Sequence, residues 1–247
     1  DRGRMLAERR GVPKDDAQAA HWYRGAAEQG HAGAQFSLGW MHLHGRGVPK
    51  DDAQAAHWIR RAAEHGDASA QFDLGRMHAE GRGLPKDDTQ AAHWYRRAAE
   101  QGHSGAQAAL GALYAFGRGV PKDDAQAVHW FRRAAEQGFA EAQSNLGAMH
   151  EHGRGVPKDD AQAAHWYRRA AEQGNAVAQF NLGLRHAQGR GVPKDDQQAY
   201  FWWLLASAQG HADAVPNRDW IETRLTAQQR AAAQAQARDW RPAAGGA

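Results

Sequence analysis

Residues 32–67 read AGAQFSLGWMHLHGRGVPKDDAQAAHWIRRAAEHGD, and this stretch decides the fold. Its Pro49-Lys50-Asp51-Asp52 occurs six times in the chain, starting at Pro13, Pro49, Pro85, Pro121, Pro157 and Pro193, with a constant step of 36 residues. A tryptophan keeps the same step at Trp22, Trp58, Trp94, Trp130, Trp166 and Trp202. Self-similarity at a fixed period of this size marks stacked supersecondary units, each burying its apolar face against the next.

Each unit predicts two helices. The first, about 32–44, places Ala34, Leu38, Met41 and His42 on one helical face. Gly45 and Gly47 end it, because glycine enters the left-handed C′ conformation without a steric penalty. Pro49 keeps the linker non-helical. Asp51 then reads as an N-cap, with Gln54 as its capping-box partner and Asp52 favourable to the helix dipole. The second helix, about 52–65, would bury Ala55, Trp58, Ile59, Ala62 and Ala63, and Gly66 stops it. A glycine inside the first helix recurs at Gly39, Gly75, Gly111, Gly147 and Gly183. It costs about 1 kcal/mol against alanine each time, which implies close helix–helix approach.

Composition supports this reading and excludes others. The 247 residues include no cysteine, so disulfides, zinc–thiolate sites and cysteine nucleophiles are ruled out. No run approaches the ~18 apolar residues of a membrane-spanning helix, so no membrane partner is expected. The net charge of +3 does not by itself call for nucleic acid. Asp1 opens the chain with no basic-then-apolar leader, so a secretion signal is expected to be absent or removed, leaving bacterial periplasm or cytoplasm open.

Ala34-x-x-x-Leu38-Gly39-x-x-His42, Gly45-x-Gly47-Val48, Asp51, Ala55-x-x-Trp58 and Ala62-Ala63-x-x-Gly66 together resemble the Sel1-like repeat, a relative of the tetratricopeptide repeat. The resemblance implies an all-α, right-handed α-solenoid that holds other proteins, from a bacterial source, with no activity and no cofactor. It covers nearly the whole chain. One column departs from the family: its usual tyrosine is His42, His78, His150 and His186, with Tyr114 the ordinary member. The expected layout is a solenoid over 1–211, with a partial repeat at 1–30 and full ones at about 31–66, 67–102, 103–138, 139–174 and 175–210. A capping helix pair over 212–241 and a frayed tail at 242–247 follow. Phe201, Leu204 and Leu205 replace polar outward positions and need that cover. At the other end Gly3, Met5 and Leu6 fall in register with Gly39, Met41 and His42, and Arg9 replaces a glycine. That first helix is cut in half, which offers a surface for end-to-end self-association.

The candidate chemistry is sparse. His42-x-His44 and His150-x-His152 point to different helix faces and cannot share an ion. The ladder His21, His57, His93, His129, His165 supplies one imidazole per repeat, so no metal site is expected. Asp-Asp at six helix starts reads as capping. Arg60-Arg61, Arg96-Arg97, Arg132-Arg133 and Arg168-Arg169 could form an outer basic ridge for nucleic acid. The glutamates Glu64, Glu100, Glu136 and Glu172 follow them and disfavour that reading. Ser37, Ser69, Ser104, Ser144 and Ser207 lack a nucleophile motif, so a cell-wall hydrolase is also disfavoured and no catalytic residue is expected.

Function should therefore lie where the units differ. One first-helix face reads Gly33, Ser37, Trp40, His44, then Ser69, Asp73, Arg76, Glu80, then Gly105, Ala109, Ala112, Phe116. It continues as Glu141, Asn145, Ala148, His152 and Val177, Asn181, Leu184, Gln188. First helices line the concave side of tetratricopeptide-like solenoids. This face would therefore be a groove for a protein or peptide partner, with Trp40 and Phe116 as anchors and Asp73 and Arg76 as a charged step. The partner-binding set is Trp40, His44, Asp73, Arg76, Glu80, Phe116, Asn145, His152, Asn181, Leu184 and Gln188. An immunity or inhibitor protein gripping a toxin or enzyme is the alternative within this class. Neutral variation on a solvated face is the bland one.

Overall fold

The computed structural model describes residues 15–243. The half-helix at Gly3, Met5 and Leu6, and the self-association surface read from it, lie outside the described residues. So do residues 244–247 of the tail.

The described residues form thirteen helices and no strands. Two compact units divide the chain between Lys122 and Asp123. In the first, α1 (Asp16–Glu28), α2 (Ala32–His44), α3 (Asp52–Glu64), α4 (Ala68–Glu80), α5 (Asp88–Glu100) and α6 (Ser104–Phe116) each pack on the next. In the second, α7 (Asp124–Glu136), α8 (Ala140–His152), α9 (Asp160–Glu172), α10 (Ala176–Gln188) and α11 (Asp196–Ala208) do the same. There α12 (Ala214–Glu222) and α13 (Ala227–Asp239) both pack on α11. This is the helix-pair stacking of a repeat solenoid.

Local chemistry sets the boundaries. The Asp51 carboxylate accepts from the backbone N–H of Ala53 and Gln54, and Asp87, Asp123 and Asp159 act alike. At these helices the carboxylate alone caps. Among the described residues the reciprocal capping box forms at Thr226 and Gln229, as their spacing predicts. Gly45 ends α2 at φ 65°, in the region open to glycine. Gly47 is required for a second reason: a Cβ there would collide with the Asp16 carbonyl. Helix α12 starts at Ala214, with Pro216 inside its first turn. Proline is tolerated there because that N–H has no intrahelical partner.

The core repeats with the sequence. Trp58, Trp94 and Trp130 are buried, while Trp166 is half-buried. The internal glycines do mark close approach: a Cβ on Gly39 would lie 2.6 Å from Ile59 Cγ1, and on Gly75 2.6 Å from Tyr95 Cδ1. A buried glutamine column, not foreseen from sequence, ties each first helix to the helix before it. Gln35 donates to the Ala27 carbonyl at 3.1 Å and Gln71 to that of Ala63 at 3.0 Å. Gln143 and Gln179 repeat the bond on Ala135 and Ala171. In the second unit Phe201 and Leu205 are buried in one cluster with Ala233, and Ala237 and Trp240 pack against it. The C-terminal helices supply the cover that these apolar positions needed.

Candidate functional site

In the first unit the variable face rests on α2, α4 and α6. The α2 indole of Trp40 is one-third exposed and lies 4.4 Å from the His44 ring, centroid to centroid. The Arg46 guanidinium sits 5.3 Å from the same indole. Asp16 fixes it by bonds of 3.1 and 3.0 Å. Beside Trp40 opens a cavity of about 300 Å³ whose walls are Tyr23, Phe36, Ser37 and Met41, with Asp16 and Arg46 at its edge. The indole is thus held from two directions while leaving apolar surface free, a pre-organised anchor.

On α4 the expected charged step closes on itself. Arg76 donates to Asp73 at 2.9 Å. Burial raises the Asp73 pKa, opposed by the positive fields of Arg76, His103 and His44. Behind it burial, with Glu80 adding, pushes the Tyr95 phenol up to about 12, so it stays neutral. Phe72 stacks on His103 at 4.7 Å, linking α4 to the start of α6, and a Cβ on Gly105 would lie 3.4 Å from the Phe72 ring. The loop arginines are occupied too: Arg82 pairs with Asp52 at 3.1 Å and Arg118 with Asp88 at 2.9 Å. Glu80 is exposed and, among the described residues, makes no ion pair. Phe116 on α6 is 72% exposed. The face therefore runs from an indole with a cavity, past a free carboxylate, to a free phenyl ring.

In the second unit Asn145, Asn181 and Leu184 are half-buried, and His152 and Gln188 are exposed. The dominant feature lies elsewhere. Arg185 occupies the column of Met41, Met77 and Met149, and its side chain is 3% exposed. It pairs with Glu151 and with Asp160, the latter at 2.9 Å. Glu151 in turn accepts from the Tyr167 hydroxyl at 2.7 Å. Burial lowers the Arg185 pKa and nearby Arg190 adds to this, while burial raises that of Tyr167. Arg154 pairs with Asp124 at 2.6 Å, in the pattern of the first unit. Arg190, next in that column, is exposed and makes no ion pair among the described residues, because Arg185 holds its carboxylate.

Sequence reasoning also missed Trp220. Carrying the 36-residue register beyond Gly210 places it on the Trp40 position, since 220 − 40 is five periods of 36. It is 53% exposed, with Arg224 5.0 Å over its ring and Arg224 bonded to Asp196 at 3.0 Å. The Asp–Arg–Trp arrangement of Trp40 thus recurs on a helix that the sequence assigned only to capping.

The other candidates resolve structurally. In the outer Arg pairs the second member lies over the neighbouring indole, Arg61 on Trp58 at 5.2 Å and Arg133 on Trp130 at 5.0 Å. That leaves half of the ridge to face solvent. His42, His78, His150 and His186 are buried, each with an unpartnered Nδ1. Tyr114 instead accepts from Arg96 at 2.7 Å. The Ser37 and Ser207 hydroxyls bond back to helix carbonyls at 2.8 and 3.0 Å. Among the described residues no three His, Asp or Glu side chains converge as metal ligands. No helix there is long and apolar enough to cross a membrane.

Comparison with known proteins agrees with this architecture. A family model described as Sel1 repeat matches residues 2–31, 32–67, 68–103, 104–139, 140–175 and 176–211. A Sel1 repeat protein from Oxalobacter formigenes is similar over 90% of this chain and 64% of its own, at 36% identity and TM-score 0.77. The protective antigen c5321 of uropathogenic Escherichia coli, which displays an SLR fold, is similar over 96% of this chain and 59% of its own. Its identity is 35% and its TM-score 0.65. The chain thus spans less than two thirds of either relative's length. The immunity protein Pa5087 from Pseudomonas aeruginosa shares the fold at 23% identity and TM-score 0.50, over 86% of this chain and 81% of its own. Among curated proteins none matches.

Proposed function

The chain belongs to the Sel1 repeat family, and on that premise we propose that it is a non-catalytic scaffold holding a segment of a partner protein against its first helices. One observation carries the reading: large apolar side chains are left exposed at variable positions of the first helices, while the repeated leucines of the same helices are buried. Trp40 and Phe116 sit on the face where units differ, whereas Leu38, Leu74 and Leu110 on the same helices are fully buried. Exposed tryptophan beside a fixed arginine is the composition of a binding hot spot. The absence of a nucleophile–base pair in the sequence supports the non-catalytic part. Of the expected groove set, Trp40, Glu80 and Phe116 carry the contact in this reading, and Asp73 and Arg76 position it. Unit-to-unit recurrence supports taking 1–211 as the repeat array and 212–241 as its closing helices.

The test is capture from a lysate of the source bacterium by the wild-type chain and by the Trp40→Ala/Phe116→Ala variant. Partners retained by the first and lost by the second support the reading; identical profiles refute it. An immunity protein would use the same face against a toxin, and a partner with hydrolase or nuclease activity in the capture would select that alternative.

A further inference from the structure

Three exposed side chains in one column of the first unit's face have unlike chemistry, and their order carries information. His44, Glu80 and Phe116 occupy one column of α2, α4 and α6, and the Trp40 ring lies tilted against the first of them. Along the face every guanidinium already has a carboxylate: Arg46 has Asp16, Arg76 has Asp73, Arg82 has Asp52 and Arg118 has Asp88. Those pairs present no net charge to a ligand. Among the acidic side chains of this face Glu80 is the one without an ion pair, exposed, and placed between the apolar cavity at Trp40 and the exposed ring of Phe116. A segment lying across all three therefore meets apolar surface, one negative charge, and apolar surface again.

We infer that the segment held here carries a lysine or arginine between two large apolar side chains, the basic group meeting Glu80 and the apolar ones meeting Trp40 and Phe116. This rests on the groove reading above and adds the chemistry of its ligand. Adjacent packed helices lie about 8–10 Å apart and α3 and α5 intervene between α2, α4 and α6, so these three first helices span on the order of 20 Å or more. An extended chain rises about 3.3 Å per residue. The basic residue accordingly falls about three or more positions from each anchor. The cavity beside Trp40, about 300 Å³, accepts a leucine, phenylalanine or tryptophan side chain. A segment with an acidic residue at its centre would bring two carboxylates together, and such like-charge contact discriminates strongly against a wrong partner.

The inference is tested with a display library of nine-residue peptides, selected in parallel on the wild-type chain and on Glu80→Lys. Binders of the wild type should be enriched in Lys or Arg at the central positions with apolar residues on both sides, and binders of Glu80→Lys in Asp or Glu. Synthesised wild-type binders should lose about tenfold or more in affinity on Glu80→Lys and be lost on Trp40→Ala/Phe116→Ala. Peptides that need Trp40 and Phe116 but bind wild type and Glu80→Lys equally would overturn the inference and leave the groove reading standing. Peptides indifferent to the Trp40/Phe116 change, or no enrichment at all, would overturn both.

Discussion

Arg185 provides the sharpest energetic test, because it is a charge placed where the repeat otherwise keeps methionine or leucine. Its guanidinium is desolvated and tied to Glu151 and Asp160, whose side chains stay 21% and 35% exposed. Removing one member of a buried pair usually costs 3–5 kcal/mol, because the other charge is left without compensation. Two features reduce the figure here. Both carboxylates retain some water, and Asp160 can recover a partner in Arg190, as Asp124 has one in Arg154. Arg185→Met should therefore destabilise by about 2–3 kcal/mol, at or below the low end of that range. Glu151→Gln added to it removes the stranded charge while keeping an acceptor for the Tyr167 hydroxyl. The double variant should return to within about 1 kcal/mol of the parent or exceed it, since hydrophobic replacement of buried ion pairs is often neutral or stabilising. Urea unfolding followed by far-ultraviolet circular dichroism and tryptophan fluorescence measures both. If the double variant is as unstable as the single one, the loss comes from packing of the arginine stem, and the pairing account of this site is wrong.

Two further outcomes follow from the core. Trp130→Ala should destabilise by about 3–5 kcal/mol, the usual range for a large buried aromatic; a loss below about 1 kcal/mol in the same unfolding assay would mean that the indole column does not hold the units together. The buried histidines should make the fold acid-sensitive. Burial first, then Arg60, Arg132 and Arg168, lower the pKa values of His78, His150 and His186, against the opposing fields of Asp87, Asp159 and Asp195. Their folded pKa values lie below the unfolded 6.5, so this stability is full above pH 6.5 and is lost as pH falls from there through the folded values. Melting temperature should drop between pH 7 and 5, and His78→Tyr, which recreates the Tyr114 arrangement beside Arg60, should flatten part of that drop. Melts unchanged across that range would contradict it.

How far the sequence could be read followed from repetition. Helix spans, aspartate caps, glycine ends and the tryptophan column recur from unit to unit, so any one copy could be checked against the others. The interiors of the internal-glycine contacts were legible for the same reason. One-off features were not. Arg185 interrupts an apolar column once, and period alone predicts a methionine-like residue there, not a guanidinium held by Glu151 and Asp160. Trp220 was hidden because Pro216 obscured where α12 begins, although the 36-residue register pointed to it. The Asp–Arg pairs join residues thirty positions apart, such as Asp16 and Arg46, a separation that a helix-by-helix reading cannot see. The site changes through a nearer pair: Arg76, expected to meet a ligand, is spent on Asp73 three residues before it on the same helix, which leaves Glu80 without an ion pair.

The central claim is that partners are held on the first-helix face, and binding calorimetry of one captured partner against two variants tests it most directly. Trp40→Ala/Phe116→Ala should weaken binding by at least about 2 kcal/mol, the scale of hot-spot truncation. Phe116 is 72% exposed, so its truncation should change stability by less than about 0.5 kcal/mol, whereas Trp40, only one-third exposed, should cost more. Arg60→Glu/Arg96→Glu on the outer ridge should change affinity much less. Binding abolished by the outer arginine variant and untouched by the groove variant would contradict the account and make the basic ridge the working surface.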